Sequence, residues 1–385
     1  MTRARTPVTP QVPPPGTRAV TRHAPGKLFI AGEYAVVEPG RQAILVAVDR
    51  TVSVTVSAVP GTGADVVIES DLCPLAARLW RRGGQLTGRD PDSERLARGG
   101  LAHVVSAVDV LTRLLVEQHR GIPALHLEVT SRLHEDGTKF GLGSSGAVTV
   151  ATVAALAAHF DLHLSPETRF RLAVLATARL DPGASCGDLA ASTWGGWLAY
   201  RSPDRAAVLK LARRWTVAAT IRAPWPDFAV RRLPAPAGLA LRVGWTGTPA
   251  STGALVSKLD DWRDGPAYRD FLGSSAECVR ACEDALVRGD DRELLAGIRA
   301  ARRLLTGLDR AAGLGIVTDR LTALCDAAEA EGGAAKPSGA GGGDCGIALL
   351  DATDGARLAR LRERWAAAGI RPLPLHVPPA EGSGQ

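Results

Sequence analysis

Residues 139 to 151, KFGLGSSGAVTVA, place three glycines and two serines directly before a run of good helix formers. Such a loop suits phosphate. Gly141, Gly143 and Gly146 let the backbone approach an anion closely, and the first turn of the following helix points unpaired N–H groups and its positive dipole end at the same spot. The hydroxyls of Ser144 and Ser145 and the ammonium of Lys139 stand beside it. The same glycines satisfy G-x-G-x-x-G, a pattern shared by dinucleotide-binding folds and the protein-kinase glycine loop. Dinucleotide binding requires a strand immediately before the glycines and a second strand ending in an acid. Here the strand predicted from Leu125 to Ser131 is separated from Gly141 by HEDGTKF. Asp161 falls on a short connection, and Ser165 with Pro166 opens another helix as N-cap and first helical residue. Val148 completes the kinase form of the motif, but no V-A-I-K, H-R-D or D-F-G follows. No Gly-Lys-Ser/Thr closes the loop as in Walker A. The bland alternative is a glycine turn before a buried helix.

Cation usage adds a second signal. The chain has 41 arginines against five lysines, at 27, 139, 210, 258 and 336. Arginine is the default cation, so lysine marks places where a compact ammonium serves better than a planar guanidinium. Four of the five lie in or beside the glycine-rich segments discussed below. The net charge of +6 is compatible with an anionic substrate or with nucleic acid. Arginines are scattered, aromatics make up 4 % of the chain, and no basic block is interleaved with stacking residues, so a small molecule is expected rather than nucleic acid.

These residues need a scaffold. At 385 residues with 45 % hydrophobic content, the chain is long enough for two domains with sizeable cores. No apolar run reaches membrane length, so no membrane partner is expected. Residues 1–20 lack the apolar core of a signal peptide and are expected to form a flexible tail, with the protein in the cytoplasm. Six cysteines show neither C-x-x-C pairs nor a disulfide framework, which suits a reducing compartment. Cys278 and Cys282, four apart on a predicted helix with no histidine pair nearby, read as packing residues.

Residues 20 to 40 read as a strand, a Pro-Gly turn, an apolar stretch and a second turn, and AILVAVDRTVSVTVSAV alternates as β-structure. Residues 71 to 100 are polar and weakly periodic, suggesting a long excursion. Helix LAHVVSAVDVLTRLLVEQ, strand ALHLEVTSRL, the glycine loop with its helix, and a helix from about 166 to 180 complete an α+β domain over 21–222. Proline-rich residues 223–238 read as the connection to a second α+β domain over 239–378. There, strand LALRVGWTG, three helical segments and the glycine-rich KPSGAGGGDCGIALL precede a closing helix near 354 to 368 and strand IRPLPLHV.

Three separated segments share one chemical character: APGKLFIAGEYAVV at 24–37, KFGLGSSGAV at 139–148 and KPSGAGGGDCGIAL at 336–349. In order and spacing they resemble the three motifs of the GHMP kinases, a superfamily that includes galactokinase, homoserine kinase and mevalonate kinase. With SCGDLAAS at 185–192 and VGWTGTPAST at 243–252, they look most like the branch that acts on 5-phosphomevalonate. The resemblance spans about residues 20 to 377. It implies a two-domain GHMP kinase fold, in which a ribosomal-protein-like α+β domain precedes a ferredoxin-like one and the active site lies between them. It also implies transfer of the ATP γ-phosphoryl group to (R)-5-phosphomevalonate.

By the same resemblance, backbone N–H groups from Gly141 through Leu142 and Gly143 to Ala147 would hold ATP phosphates, with Lys139 beside them. Ser145 would reach Mg²⁺ and Ser144 a phosphate; helix N-capping is the structural alternative for both serines. Lys27 would neutralise charge on the transferring group, and Asp188 would pair with it facing the acceptor. Lys139, Ser185, Ser251, Thr252, Lys336, Ser338, Gly339 and Gly341 are the candidates for binding the acceptor. A phosphomonoester has a second pKa of about 6 and needs no deprotonation at neutral pH, so Asp188 is expected to orient rather than act as a base. Where mevalonate kinase carries a second Mg²⁺ ligand about eleven residues before the catalytic acid, this chain has Thr177 or a neighbour, with no obvious carboxylate in its place. The competing readings are another kinase of the superfamily, acting on mevalonate or homoserine, and an ATP-binding sensor without catalysis. A monomer and a homodimer both fit.

Overall fold

The computed structural model describes residues 19–59, 63–135, 137–249, 255, 258–259 and 262–378. Its spine is the long strand β2 (Gln42–Ala58), antiparallel to β1 (Val20–Ala31) along one edge. The other edge takes β9 (Trp197–Arg201) near its start and β6 (Leu125–Ser131) near its end. In its second half Val52, Val54 and Val56 are buried while Ser53, Thr55 and Ser57 are not, the period of two expected of a sheet with one covered face. The full order is β10 (Ala229–Leu233), β9, β2, β6, β3 (Val66–Ser70), β4 (Ala77–Arg82), β5 (Gln85–Gly88), with β1 attached to β2. β3 runs parallel to β6, which requires a crossover; α1 (Pro91–Arg98) and α2 (Ala102–Glu117) lie in the connecting chain.

Against this sheet pack α3 (Ser144–His159) and α5 (Gly187–Trp194), and α4 (Pro166–Ala178) packs in turn on α2, α3 and α5. α3 touches β1, β2, α2, α4 and α5 and is buried on nearly every side, which explains its run of small alanines and valines in place of an amphipathic stripe. Ser165 caps α4 as expected, accepting from the Thr168 N–H at 3.1 Å.

Three local expectations change. Residues 71–100 are not an unstructured excursion: β4 and β5 form a hairpin and α1 follows. Pro25 and Gly26 do not end the first strand, because β1 passes through them with a bulge between Pro25 and Lys27. The proline-rich stretch contains β10, an edge strand, where proline nearby is tolerated. α6 (Arg205–Arg214) and α7 (Val217–Arg222) precede it.

The second sheet is antiparallel throughout, in the order β12 (Ala334–Pro337), β13 (Cys345–Asp351), β11 (Leu239–Trp245), β14 (Arg371–Leu373). Numbered within this half, the order is 2-3-1-4, the ferredoxin-like arrangement. Its helices are α8 (Pro266–Arg288), α9 (Asp291–Ala312), α10 (Asp319–Ala330) and α11 (Gly355–Ala367). One apolar cluster runs through both halves, joining Val46 and Leu156 to Val279, Cys282 and Ile347. Cys278 and Cys282 are buried on α8, as packing residues should be. Among the described residues no single helix is long and apolar enough to cross a membrane.

Candidate active site

The phosphate-type loop follows a small hairpin, β7 (His134–Glu135) and β8 (Thr138–Lys139). Gly141 and Gly143 both have φ +76, a left-handed conformation that glycine adopts without strain. Gly143 is the N-cap of α3, and no side chain caps that helix. The hydroxyls of Ser144 and Ser145 are therefore not consumed in capping, and Ser145 is exposed. Leu142 contributes only backbone: its side chain is buried, and its carbonyl accepts from the Lys27 N–H at 2.8 Å. That bond ties the first motif to the second.

Lys27 leaves the β1 bulge beneath this loop. A Cβ on Gly143 would lie 3.0 Å from Lys27 Cε and 3.2 Å from Asp188 Cβ, so the absence of a side chain there is what admits both residues. A Cβ on Gly146 would lie 2.5 Å from Asp188 Cγ and Oδ2. Asp188 thus stands against the first turn of α3 from its own place in the first turn of α5, and two positive helix ends converge on it. Its Oδ1 accepts from the Leu189 N–H at 2.9 Å. Ser192 Oγ donates to the Pro25 carbonyl at 2.6 Å and fixes α5 to the strand that carries Lys27. Lys27 is buried, and burial pushes its pKa below the ordinary lysine value; Asp188, then Asp344, Cys345 and Glu33, oppose that shift.

Asp344 was not among the residues singled out in the third motif. Its carboxyl lies where a Cβ on Gly141 would come within 2.5 Å, so Asp344 and Asp188 flank the glycine loop at opposite ends. Asp344 itself has φ +50, held by its N–H donating to the Thr248 carbonyl at 2.7 Å and its carbonyl accepting from the Thr246 N–H at 2.9 Å. His103, near the start of α2, was also missed. Burial lowers its pKa, Asp188 opposes this and Lys139 adds to it, which places the imidazole within electrostatic reach of both. Lys139 is exposed at the loop's entrance. No local pattern marks His103; for Asp344 the signal was the acid that breaks GAGGG.

Of the acceptor-binding candidates, several have other duties. Lys336 is fully buried and its Nζ is ion-paired with Oε1 of Glu33, so it presents no free ammonium to a ligand. Ser338 Oγ accepts from the Phe29 N–H at 2.9 Å and donates to the Phe29 carbonyl at 3.0 Å, a structural tie to β1. Gly341 is buried against Ile316, whose carbonyl oxygen would lie 2.5 Å from a Cβ there. These three placements share one cause: the third motif is stitched to β1, to Glu33 just beyond it and to the residues after α9. Gly339 remains at the site, since a Cβ on it would be 3.9 Å from Lys27 Nζ. Ser185 is half-buried at the entrance to α5, its carbonyl accepting from Tyr200 Oη at 2.7 Å. Ser251 and Thr252 lie outside the described residues. Thr177 is buried with a hydroxyl that lacks a hydrogen-bond partner. Among the described residues no group of three or more His, Cys, Asp or Glu could hold a metal unaided.

Comparison with known proteins gives matches over both halves. Residues 102–196 match the GHMP kinases N terminal domain and residues 282–370 the GHMP kinases C terminal domain. A phosphomevalonate kinase of Streptomyces sp. (strain CL190) is 63% identical over 371 residues, covering 95% of this chain and 99% of that protein. Among solved structures, a Lin0012 protein from Listeria innocua superposes with a TM-score of 0.86 at 32% identity, over 94% of this chain and 99% of the other. Streptococcus pneumoniae phosphomevalonate kinase in complex with phosphomevalonate and AMPPNP superposes at 0.80 with 28% identity, over 93% and 99%.

Proposed function

The chain belongs to the GHMP kinase family, and from that premise we propose that it is a phosphomevalonate kinase, transferring the ATP γ-phosphoryl group to (R)-5-phosphomevalonate to give 5-diphosphomevalonate and ADP. The observation that carries the chemistry is the placement of Lys27 and Asp188 together beneath the first turn of α3, beside a glycine loop with uncapped N–H groups. The 63% identical relative, covered over 99% of its length, supports the acceptor.

In this reading, residues 21–222 form the ATP-binding half and 239–378 the second half. The N–H groups from Gly141 to Gly146 hold the triphosphate, with Ser144 on a phosphate and Lys139 at the entrance, whereas the Ala147 N–H donates to the Gly143 carbonyl at 3.1 Å and drops out of the expected set. Lys27 neutralises charge on the γ-phosphoryl group as it passes from ADP to an acceptor oxygen. Asp188 keeps that ammonium charged against the cost of burial and sets its position. The acceptor phosphate is largely a dianion at pH 7, its second pKa being about 6, so its oxygen attacks phosphorus with no proton to remove. Ser185 and Gly339 border the space for the acceptor, and Ser251 and Thr252 remain candidates for it. Lys336 and Ser338 act one step away, by fixing the third loop.

Mg²⁺ fits the donors present: the exposed Ser145 hydroxyl, unused by the helix, with the Asp188 and Asp344 carboxyls on either side of the loop, are hard oxygen ligands of the kind it takes alongside phosphates and water. Bound there, the ion would offset the charge of the β- and γ-phosphates. The six cysteines are all free thiols, which supports a reducing, cytoplasmic setting.

The direct test is ADP release by the purified chain with phosphomevalonate, mevalonate and homoserine offered separately. Turnover with phosphomevalonate at least about a hundredfold above the others, in kcat/KM, is expected from a site built around an anionic acceptor. Preference for mevalonate, or ATP binding without turnover of any acceptor, would sink the reading.

A further inference from the structure

A cavity of about 340 Å³ opens between α2, α4, α6 and α7, and neither α3 nor α5, which carry the glycine loop and Asp188, lines any part of it. Its volume falls at the lower end of the range of small-molecule sites, roughly 300–1,000 Å³. Val110, Leu175 and Val217 supply apolar wall, and three guanidiniums, those of Arg113, Arg179 and Arg213, share the lining. Like charges brought to one concavity repel unless something negative lies between them. Among the described residues no carboxylate is within ion-pair distance of any of the three. Arg113 Nε donates to the Gly84 carbonyl at 3.2 Å, a neutral partner. Glu117, at the α7 end, accepts from the N–H groups of Val217 and Ala218 at 2.6 and 2.8 Å and is spent on capping that helix. Asp109 interacts electrostatically with Arg179 and Arg113; it is buried, and its Oδ1 accepts from the Leu86 N–H at 2.9 Å. Arg179 and Arg213 are exposed and stand at the ends of α4 and α6, where a helix favours a cation, and Arg113 is half-buried; the three share the rim of one largely apolar cavity.

We propose that this cavity is a binding site, separate from the catalytic one, for a short-chain aliphatic phosphate: the chain lies on the Val110, Leu175 and Val217 wall, and the phosphate lies among Arg113, Arg179 and Arg213. Arginine's planar fork matches phosphate oxygens in pairs, and a dianion answers a surplus of positive charge better than a carboxylate does. Pro182 lines the same cavity six positions before Asp188, so its rim belongs to the connection that leads into α5.

Calorimetric titration of the full chain with n-pentyl phosphate, inorganic phosphate and 1-pentanol tests this, in the presence of saturating AMPPNP and phosphomevalonate so that the catalytic site is filled. Pentyl phosphate should bind more tightly than inorganic phosphate, and pentanol should not bind detectably. The double variant Arg179→Ala/Arg213→Ala should weaken pentyl phosphate by at least about tenfold, the scale of one lost charge-assisted hydrogen bond, while leaving kcat/KM for the enzyme's own substrates in place. Ala212→Phe, which fills the cavity from its lining without removing charge, should abolish binding in the same way. Equal affinity in the wild type and both variants, or loss of binding as soon as the catalytic ligands are added, would overturn the proposal without touching the assignment of the catalytic reaction.

Discussion

Lys336 and Glu33, 303 residues apart in the chain, form an ion pair closed to solvent, with side-chain exposures of 0% and 3%. The Gly339 N–H also reaches Glu33 Oε1 at 3.5 Å. The pair therefore fixes the third glycine-rich loop to the turn that directly follows the strand bearing Lys27. Removing one partner of a buried pair strands the other charge, at a cost of about 3–5 kcal/mol. Lys336→Met should lower the denaturant midpoint accordingly, and the double variant Lys336→Met/Glu33→Gln should recover part of the loss. If Lys336 instead bound the acceptor directly, the single variant would raise KM for phosphomevalonate at nearly unchanged stability.

Gly146→Ala puts a methyl group where the Asp188 carboxyl now sits, 2.5 Å from Cγ. Alanine suits the helix, so the fold should survive while Asp188 moves. Displacement of a catalytic group by about 1 Å commonly costs about a hundredfold in rate. A fall of that order in kcat with an unchanged melting temperature is expected; wild-type turnover would show that Asp188 does not act from this position.

In the proposed reaction Lys27 acts on the phosphoryl group only while it carries its charge. Its pKa is lowered by burial, so the alkaline limb of the kcat profile should set in below the ordinary lysine value of 10.5. Asp188 is the largest influence opposing that shift, and Asp188→Asn should move the limb to lower pH. The same variant should lose roughly 10²–10³ in kcat at pH 7, by analogy with loss of one preorganised electrostatic contact. Recovery of its turnover at higher pH would show that Asp188 serves as a base and contradict the orienting role.

Asp109 offers a stability test remote from the reaction. Burial raises its pKa from 3.8 to about 6, against the Leu86 N–H and the charges of Arg179, Arg113 and Arg81. The folded chain holds that proton more tightly than the unfolded one, so the stabilisation is complete below pH 3.8 and is lost as pH rises through about 6. Asp109→Asn keeps an acceptor for Leu86 and should flatten this part of the profile, making the variant more stable than wild type above pH 6. Equal slopes for the two proteins between pH 4 and 6 would refute it.

The glycine conformations of the candidate site were legible in the sequence because their demands are local. Gly141, Gly143 and Gly146 are required by backbone conformation or by the close approach of another carboxyl or ammonium, and each such demand leaves a glycine in the sequence. What could not be read was which cations face the ligand. Lys336 and Lys139 look alike in sequence, and only the fold brings Glu33 to one and solvent to the other. The hairpin within 71–100 did have a signal: Gly83 and Gly84, both at positive φ between β4 and β5, are the two-residue turn that such hairpins prefer. Its polar, edge-strand residues hid the alternation that would have drawn attention to it.

The bond pair between Ser338 and Phe29 spans 309 residues, and it bears on when the enzyme comes into being during synthesis. The glycine loop, Lys27 and Asp188 all leave the ribosome well before Ser338, and N-terminal units fold first as the chain emerges at about 5–20 residues per second. The glycine loop of a nascent chain is therefore made while the third loop, with Gly339 and Asp344, is still unmade. If those two residues serve the reaction as proposed, phosphoryl transfer can begin only after nearly the whole chain has been translated.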